Sequence, residues 1–148
     1  MTEIHDLVPH RGTMSWLSRV IEVGPEHLVA EADIGPDHLL LRDGRLSAAT
    51  GVEFMAQTVA AWAGVQRRAQ GGQPLIGFLL GTRRYQCSRS HFALGSTLRI
   101  EVRRSFQAEN GLSQFEARIA IEGEAVASAN LNVFGPDDPE AFLAGHAL

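Results

Sequence analysis

The sequence predicts an α+β fold in which one long central helix is wrapped by a curved antiparallel β-sheet. One helical stretch, from about residue 47 to residue 68, interrupts a chain that otherwise shows the two-residue alternation of strands. The apolar residues of this stretch surround the helix axis instead of forming one stripe, so the helix must be buried nearly all round. Turn signals between the strand-like segments predict antiparallel neighbours.

Two short strand-like runs and a loop precede the helix. The runs lie in WLSRVIEVGPEHLVAEADI and flank a turn signal at Gly24-Pro25. The loop GPDHLLLRDGRL follows, and a turn is predicted at Asp43-Gly44. These elements lead the chain directly to the start of the helix.

The helix is built from small and apolar residues. Alanines keep it slim between the larger apolar side chains, which are Val52, Phe54, Met55, Val59, Trp62 and Val65. Gly71, Gly72 and Pro74 end it, because neither glycine nor proline readily continues a helix.

About four antiparallel strands are predicted after the helix. Asn110-Gly111 is a strong hairpin signal, and Gly123 predicts a second tight turn. The residues predicted to face the core from two of these strands are Leu98, Ile100 and Val102, followed by Phe115, Ala117, Ile119 and Ile121. Because the outer side and the edges of such a sheet still need cover, we expect a dimer.

Length and composition indicate a single globular domain. The chain has 148 residues, of which 45% are hydrophobic and 20% charged, and we expect one domain over residues 1–148, with a core at about 7–134 and a C-terminal tail at 135–148. The net charge of −4 argues against nucleic-acid binding. One cysteine, no signal-peptide pattern and no apolar run of membrane-spanning length predict a cytoplasmic protein without a membrane partner.

Neither a metal nor a cofactor is expected. None of the six histidines has metal-ligand spacing with Cys87 or with a neighbouring acid. The sequence also lacks a phosphate-binding glycine loop, a dinucleotide fingerprint and a nucleophile elbow.

Glu53, in the stretch TGVEFMAQTVAAWAG, has two possible interpretations. With Thr50 three residues earlier, it fits a capping box at the start of the helix. Ser47 is an equally good N-cap one turn earlier, and it would place Glu53 inside the helix on the same face as Gln57. A carboxylate on a buried helix is costly unless it is paired or lies in a wet cleft, and function is the usual reason for tolerating that cost.

Three segments together resemble the hot-dog fold 3-hydroxyacyl-ACP dehydratases. GVEFMAQTVAAWAG is similar to their central helix, and LVPHRGTMSWLSRVIEV to their N-terminal Pro-His-Arg segment, where His10 is expected to be structural. LIGFLLGTRRYQCSRSHFALGSTLRIEVRRS resembles the strands after the helix. The resemblance covers most of residues 7 to 134 and is closest to the dehydratase-like subunits associated with aryl polyene lipid clusters.

The resemblance implies a reaction and a set of site residues. Enzymes of this family remove water from a 3-hydroxyacyl thioester, with a histidine from one protomer and the helix glutamate from the other flanking the substrate. Glu53 matches the acid and Gln57 the glutamine that follows it, while the backbone amides from Ala48 to Gly51 would polarise the thioester carbonyl. His38 is the candidate partner of Glu53.

The sequence departs from the family pattern around the histidine. His38 lies in PDHLLLRDGRL instead of a Gly-His-Phe-Pro type motif, and Ala48 stands where the family has a glycine. His38 could therefore be a displaced catalytic base or an ordinary exposed loop histidine.

The arginine pair Arg83-Arg84 has two possible interpretations. Arg83 and Arg84 could form part of a basic rim for an acyl carrier protein or a phosphopantetheine phosphate, or they could be solvated on a strand face.

Three functions remain open. The first is a 3-hydroxyacyl-ACP dehydratase acting on acyl-ACP or acyl-CoA thioesters, as a homodimer or as a heterodimer with a homologous hot-dog subunit. The second is a catalytically weakened partner subunit of a heteromeric dehydratase, which the altered histidine motif favours. The third is a hot-dog thioesterase that uses the helix carboxylate to activate water.

Overall fold

A computed structural model of the protein describes residues 15–69, 78–108 and 110–134. The elements in chain order are β1 (Arg19–Val23), β2 (His27–Asp33), β3 (Arg45–Ser47), a 3-10 turn (Ala48–Thr50), α1 (Gly51–Ala69), β4 (Phe78–Cys87), β5 (His91–Ala93), β6 (Thr97–Gln107), β7 (Leu112–Ile121) and β8 (Glu124–Phe134). Six strands form one antiparallel sheet in the order β1-β2-β6-β7-β8-β4, and β3 pairs with β5. The predicted α+β architecture is confirmed.

The helix is enclosed as its composition predicts. Every residue from 51 to 66 is buried or half-buried. Phe54, Met55 and Ala61 have no exposed surface at all. A helix of this kind is stabilised mainly by burial on several sides at once, and its small alanines keep it slim enough to be enclosed.

The inner face of the sheet is a set of matched apolar rows. Leu28 pairs with Val102, which pairs with Ala117 on the next strand. Ala30 pairs with Ile100 in the adjacent row. All five residues are buried, because alternate residues of a strand point to the same face and the register keeps those faces aligned.

The predicted turns have the backbone geometry that their residues favour. Asp43 and Gly44 both have positive φ angles, 53° and 72°, and Gly123 has a φ of 82°. Gly111, in the Asn110-Gly111 signal, has a φ of 93° and lies between β6 and β7. Consecutive positive φ values match the right-handed twist of the strands on either side of a tight hairpin.

The small β3–β5 ladder was not predicted. Each strand has only three residues, too few to show an alternation in the sequence. The ladder leads directly into the helix, and just beyond it the Ala48 amide donates to the carbonyl of Ser90 at 3.1 Å. It therefore fixes where the helix begins.

The described helix agrees with the predicted helical stretch to within a few residues at its start. The α-helix begins at Gly51, after the 3-10 turn, and ends at Ala69. The terminating residues at 71, 72 and 74, His10 and the tail after Pro136 lie outside the described residues. Among the residues described, no helix has the length and apolar character needed to cross a bilayer.

Candidate active site at the start of the helix

Ser47 caps the turn that leads into the helix. Its Oγ accepts the amide of Ala49 at 3.2 Å, and the hydroxyl of Thr50 donates back to the Ser47 carbonyl at 2.7 Å. Ser47 is therefore the N-cap of the 3-10 turn that precedes α1. α1 itself begins at Gly51, and Glu53 lies in its first turn, which is also where a capping box with Thr50 would place it.

Glu53 is held by a buried glutamine. Gln57 is completely buried, and its Nε2 donates to Glu53 Oε1 at 3.2 Å. The other end of the same amide, Oε1, accepts the backbone N–H of Trp16 at 2.9 Å. Because the backbone of Trp16 fixes the glutamine, the glutamine in turn fixes the position of the half-buried carboxylate.

His38 packs against the same tryptophan. Its ring centroid is 4.5 Å from that of Trp16 and 6.1 Å from that of Phe54, and the Trp16 and Phe54 rings are 5.0 Å apart. His38 is half-buried and is therefore not the exposed loop histidine that was one of the two alternatives. Trp16 connects His38 to Glu53. Its indole packs against the His38 ring, and its backbone N–H binds Gln57, which in turn binds Glu53.

The two nitrogens of His38 have different surroundings. Nδ1 accepts the backbone N–H of Leu40 at 3.1 Å. Nε2 is buried and has no hydrogen-bond partner in the described part of the chain. Burial lowers the pKa of the imidazole below its ordinary value, because an apolar environment disfavours the charged form. The ring is therefore neutral near pH 7.

Two of the amides predicted to polarise a carbonyl, those of Ala48 and Gly51, already have acceptors inside the chain. The amide of Ala48 donates to Ser90, and that of Gly51 donates to the Ala48 carbonyl. A thioester oxygen at this position would have to share these donors. The role of Ala48 and Gly51 in substrate binding stays a prediction.

Tyr85 is a residue of this region that the sequence did not identify. Its hydroxyl donates to the carbonyl of Ala48, and burial, followed by the neighbouring Cys87 thiol, raises the pKa of the phenol well above its ordinary value. A Cβ atom placed on Gly51 would lie 2.1 Å from the Tyr85 hydroxyl oxygen. Gly51 has ordinary helical angles, so a glycine is needed here for the close approach of β4 and not for backbone freedom.

Arg83 and Arg84 are exposed on β4. Arg84 has a φ of 57°, at a bulge in the pairing of β4 with β8. Its side chain lines a depression on the outer face of the sheet, together with Gln86, Glu116, Arg118, Ser128 and Asn130. The structure therefore places Arg84 on the opposite side of β4 from Tyr85 and the helix. A role of Arg83 and Arg84 at a substrate entrance stays a prediction.

No cluster of three or more histidine, cysteine, aspartate or glutamate side chains that could hold a metal occurs among the described residues. The site consists of the carboxylate, the glutamine and the aromatic cluster of Trp16, His38 and Phe54. A positioned carboxylate of this kind can accept or donate a proton beside a bound thioester.

One antiparallel sheet packed around one central helix is the architecture of a hot-dog protein. The sequence model of the ApeP-like family, described as ApeP dehydratase, matches residues 2–144. The chain therefore belongs to the ApeP-like dehydratase family.

One solved structure agrees with this assignment, and a second shares the fold. The chain is similar to the dehydratase heterocomplex ApeI:P from Xenorhabdus doucetiae, with a TM-score of 0.87, 27% identity and 99% of each chain covered. It also resembles a hypothetical thioesterase with coenzyme A from Streptococcus pneumoniae TIGR4, with a TM-score of 0.63, 14% identity and coverage of 79% of this chain and 84% of that one. At 14% identity the second likeness shows the fold alone. No curated protein matched the sequence.

Proposed function

We propose that this chain is a subunit of a dehydratase that removes water from 3-hydroxyacyl thioesters carried on an acyl carrier protein, with Glu53 as the acid/base group. The observation that carries the proposal is the buried Gln57, which fixes the Glu53 carboxylate on the helix that is typical of the family. Coenzyme A thioesters have the same reacting atoms and are the alternative carrier.

The chemistry requires a group that moves protons at a fixed place. The α-proton is weakly acidic because its removal places negative charge on the neighbouring thioester, so a base must be held within hydrogen-bond distance of it. The 3-hydroxyl group then leaves as water once it has received a proton, and the α,β double bond remains. A carboxylate that cannot swing away from the substrate reduces the entropy cost of both steps.

A hot-dog partner subunit fits this proposal. The Xenorhabdus doucetiae relative is a heterocomplex, which supports a homologous partner for this chain. β4 is an edge strand of the sheet, with β8 as its neighbour, and an unpaired strand edge favours the addition of another strand. We place the assembly in the cytoplasm, where acyl carrier proteins act.

A second candidate function is that of a partner subunit that supplies only part of the site. The geometry of His38 favours it, because Nδ1 is occupied and Nε2 is buried. In that case the partner provides the second proton-transfer group, while this chain provides the carboxylate.

An assay of the purified chain separates these functions. The chain is offered 3-hydroxyacyl-ACP and saturated acyl-ACP, alone and together with a homologous hot-dog dehydratase subunit. Water loss by the chain alone supports a complete enzyme, and water loss only with the partner supports the shared site. Release of free thiol from the saturated substrate without any water loss would contradict the dehydratase and favour a thioesterase.

A further inference from the structure

We propose that His38 is a positioning residue that holds Glu53 in place through Trp16, and not a proton-transfer group. The inference rests on the proposed dehydratase site, since it assigns a role to a residue of that site. It replaces the sequence-based alternative in which His38 is a displaced catalytic base.

The hydrogen bond at Nδ1 determines where the ring proton lies. The backbone N–H of Leu40 can only donate, so Nδ1 must accept and must be unprotonated. In a neutral imidazole the proton is then on Nε2. A base needs an unprotonated nitrogen that faces the substrate, and in His38 the only unprotonated nitrogen is already occupied by Leu40.

The same hydrogen bond argues against a general acid. Protonation of Nδ1, which the imidazolium form requires, would place two donors against each other at the Leu40 amide. The lowered pKa of the ring also disfavours that form near pH 7. The neutral ring could give up its Nε2 proton only by becoming an anion in an apolar environment.

The burial of Nε2 argues against direct contact between this atom and the substrate. The atom is buried, and the ring lies against Trp16 and Phe54. What His38 contacts is the indole of Trp16, at a centroid distance of 4.5 Å.

A continuous set of contacts leads from His38 to the carboxylate. The ring supports the indole of Trp16, the backbone N–H of Trp16 donates to Gln57, and Gln57 donates to Glu53. Loss of the ring would remove one of the aromatic side chains packed against the Trp16 indole, and a displacement of this segment would be passed on to Glu53. An aromatic ring of similar size would keep the support without any proton chemistry.

Two variants of the full chain test the proposal, in whichever form is active, alone or with the hot-dog partner. His38→Phe keeps the aromatic contact and removes both ring nitrogens, and His38→Ala removes the contact as well. We expect His38→Phe to keep a kcat within about tenfold of wild type, with an unchanged pH profile, and His38→Ala to lose more in kcat than it changes KM. If His38→Phe is as inactive as His38→Ala while both remain folded, the proposal is wrong.

A measurement without substrate tests the tautomer independently. The ¹⁵N chemical shifts of His38 in the full chain should show an unprotonated Nδ1 and a protonated Nε2 at pH 7. A protonated Nδ1 would overturn the proposal. Because this result does not depend on turnover, failure of the dehydratase proposal, seen as thiol release without water loss, remains distinguishable from failure of the His38 role.

Discussion

The two ends of the central helix are held in different ways. At the C-terminal end, Trp62 Nε1 and Gln66 Nε2 each donate to the carbonyl of Gly24 at 3.2 Å. The guanidinium of Arg104 lies 4.9 Å from the Trp62 ring centroid and forms two hydrogen bonds, at 2.7 and 2.9 Å, with the Glu26 carboxylate. At this end every polar group named has a partner.

The N-terminal end of the helix is surrounded by buried polar atoms that lack a hydrogen-bond partner. In the described part of the chain two buried side-chain atoms lack a hydrogen bond, Ser15 Oγ and His38 Nε2. Ser15 directly precedes Trp16, and the His38 ring packs against the Trp16 indole. Ser15 and His38 therefore both belong to the region that holds Gln57 and Glu53. A buried polar group without a partner is destabilising. We infer that the C-terminal end stabilises the fold, while the N-terminal end gives up some stability for chemistry.

Among the residues that surround Glu53, the largest effect is expected at Gln57. Gln57→Leu should reduce dehydratase activity about 10- to 100-fold, because the carboxylate loses the hydrogen bond from the buried amide. It should also destabilise the fold by about 1–3 kcal/mol, since the Trp16 amide loses its buried acceptor. Activity assays and urea unfolding measure the two effects.

A matched control lies at the other end of the helix. Gln66→Leu removes a comparable amide, but the Gly24 carbonyl keeps the bond from Trp62. It should leave kcat unchanged. Equal losses of activity in the two leucine variants would remove the functional distinction between the ends.

The next effect concerns the close approach of β4 to the helix. Gly51→Ala should destabilise the protein by about 1–3 kcal/mol, because the new methyl group would overlap the Tyr85 hydroxyl. Thermal unfolding measures this loss. The double variant Gly51→Ala/Tyr85→Phe, which lacks the overlapping oxygen, should recover part of it. A Gly51→Ala variant at least as stable as wild type would show that the contact is not rigid.

The smallest effect concerns the exposed ion pair at the C-terminal end. Hydrogen bonds from Arg104 lower the pKa of Glu26, so this pair stabilises the fold above the ordinary carboxyl pKa, and the contribution is lost as the pH falls through the lowered value. Arg104→Ala should therefore destabilise the protein near pH 7 more than near pH 3. Glu26 is half-exposed, so the ionic part should be about 1 kcal/mol or less.

Unfolding at the two pH values, with Arg89→Ala as a control for a more exposed ion pair, measures the difference. A penalty for Arg104→Ala that does not change with pH would assign its contribution to packing on Trp62 alone.

The sequence predicted the elements whose signals are local. The strands around Gly24-Pro25, the enclosed helix and the hairpin at Asn110-Gly111 all follow from periodicity and turn chemistry, and the structure confirms them. The sequence offered two interpretations of Glu53: its place in the first turn of α1 agrees with the capping box, and its hydrogen bond with Gln57 agrees with the shared helix face.

The rest of the site depends on contacts between distant parts of the chain. Gln57 and Trp16 are 41 residues apart, and Tyr85 and Ala48 are 37 apart. No local pattern encodes such pairs, because they depend on how the sheet closes around the helix. The environment of His38 likewise follows from its packing on Trp16, and the motif around it in the sequence gives no sign of that contact.

The account is tested most directly by the rate of water loss from a 3-hydroxyacyl-ACP substrate with Glu53→Gln in the active form of the protein. Glu26→Gln, at the other end of the helix, serves as the control. We predict a loss of about 10²- to 10⁴-fold for Glu53→Gln, as for removal of an acid/base group, and no loss for the control. A Glu53→Gln variant that dehydrates the substrate at the wild-type rate would contradict the central claim.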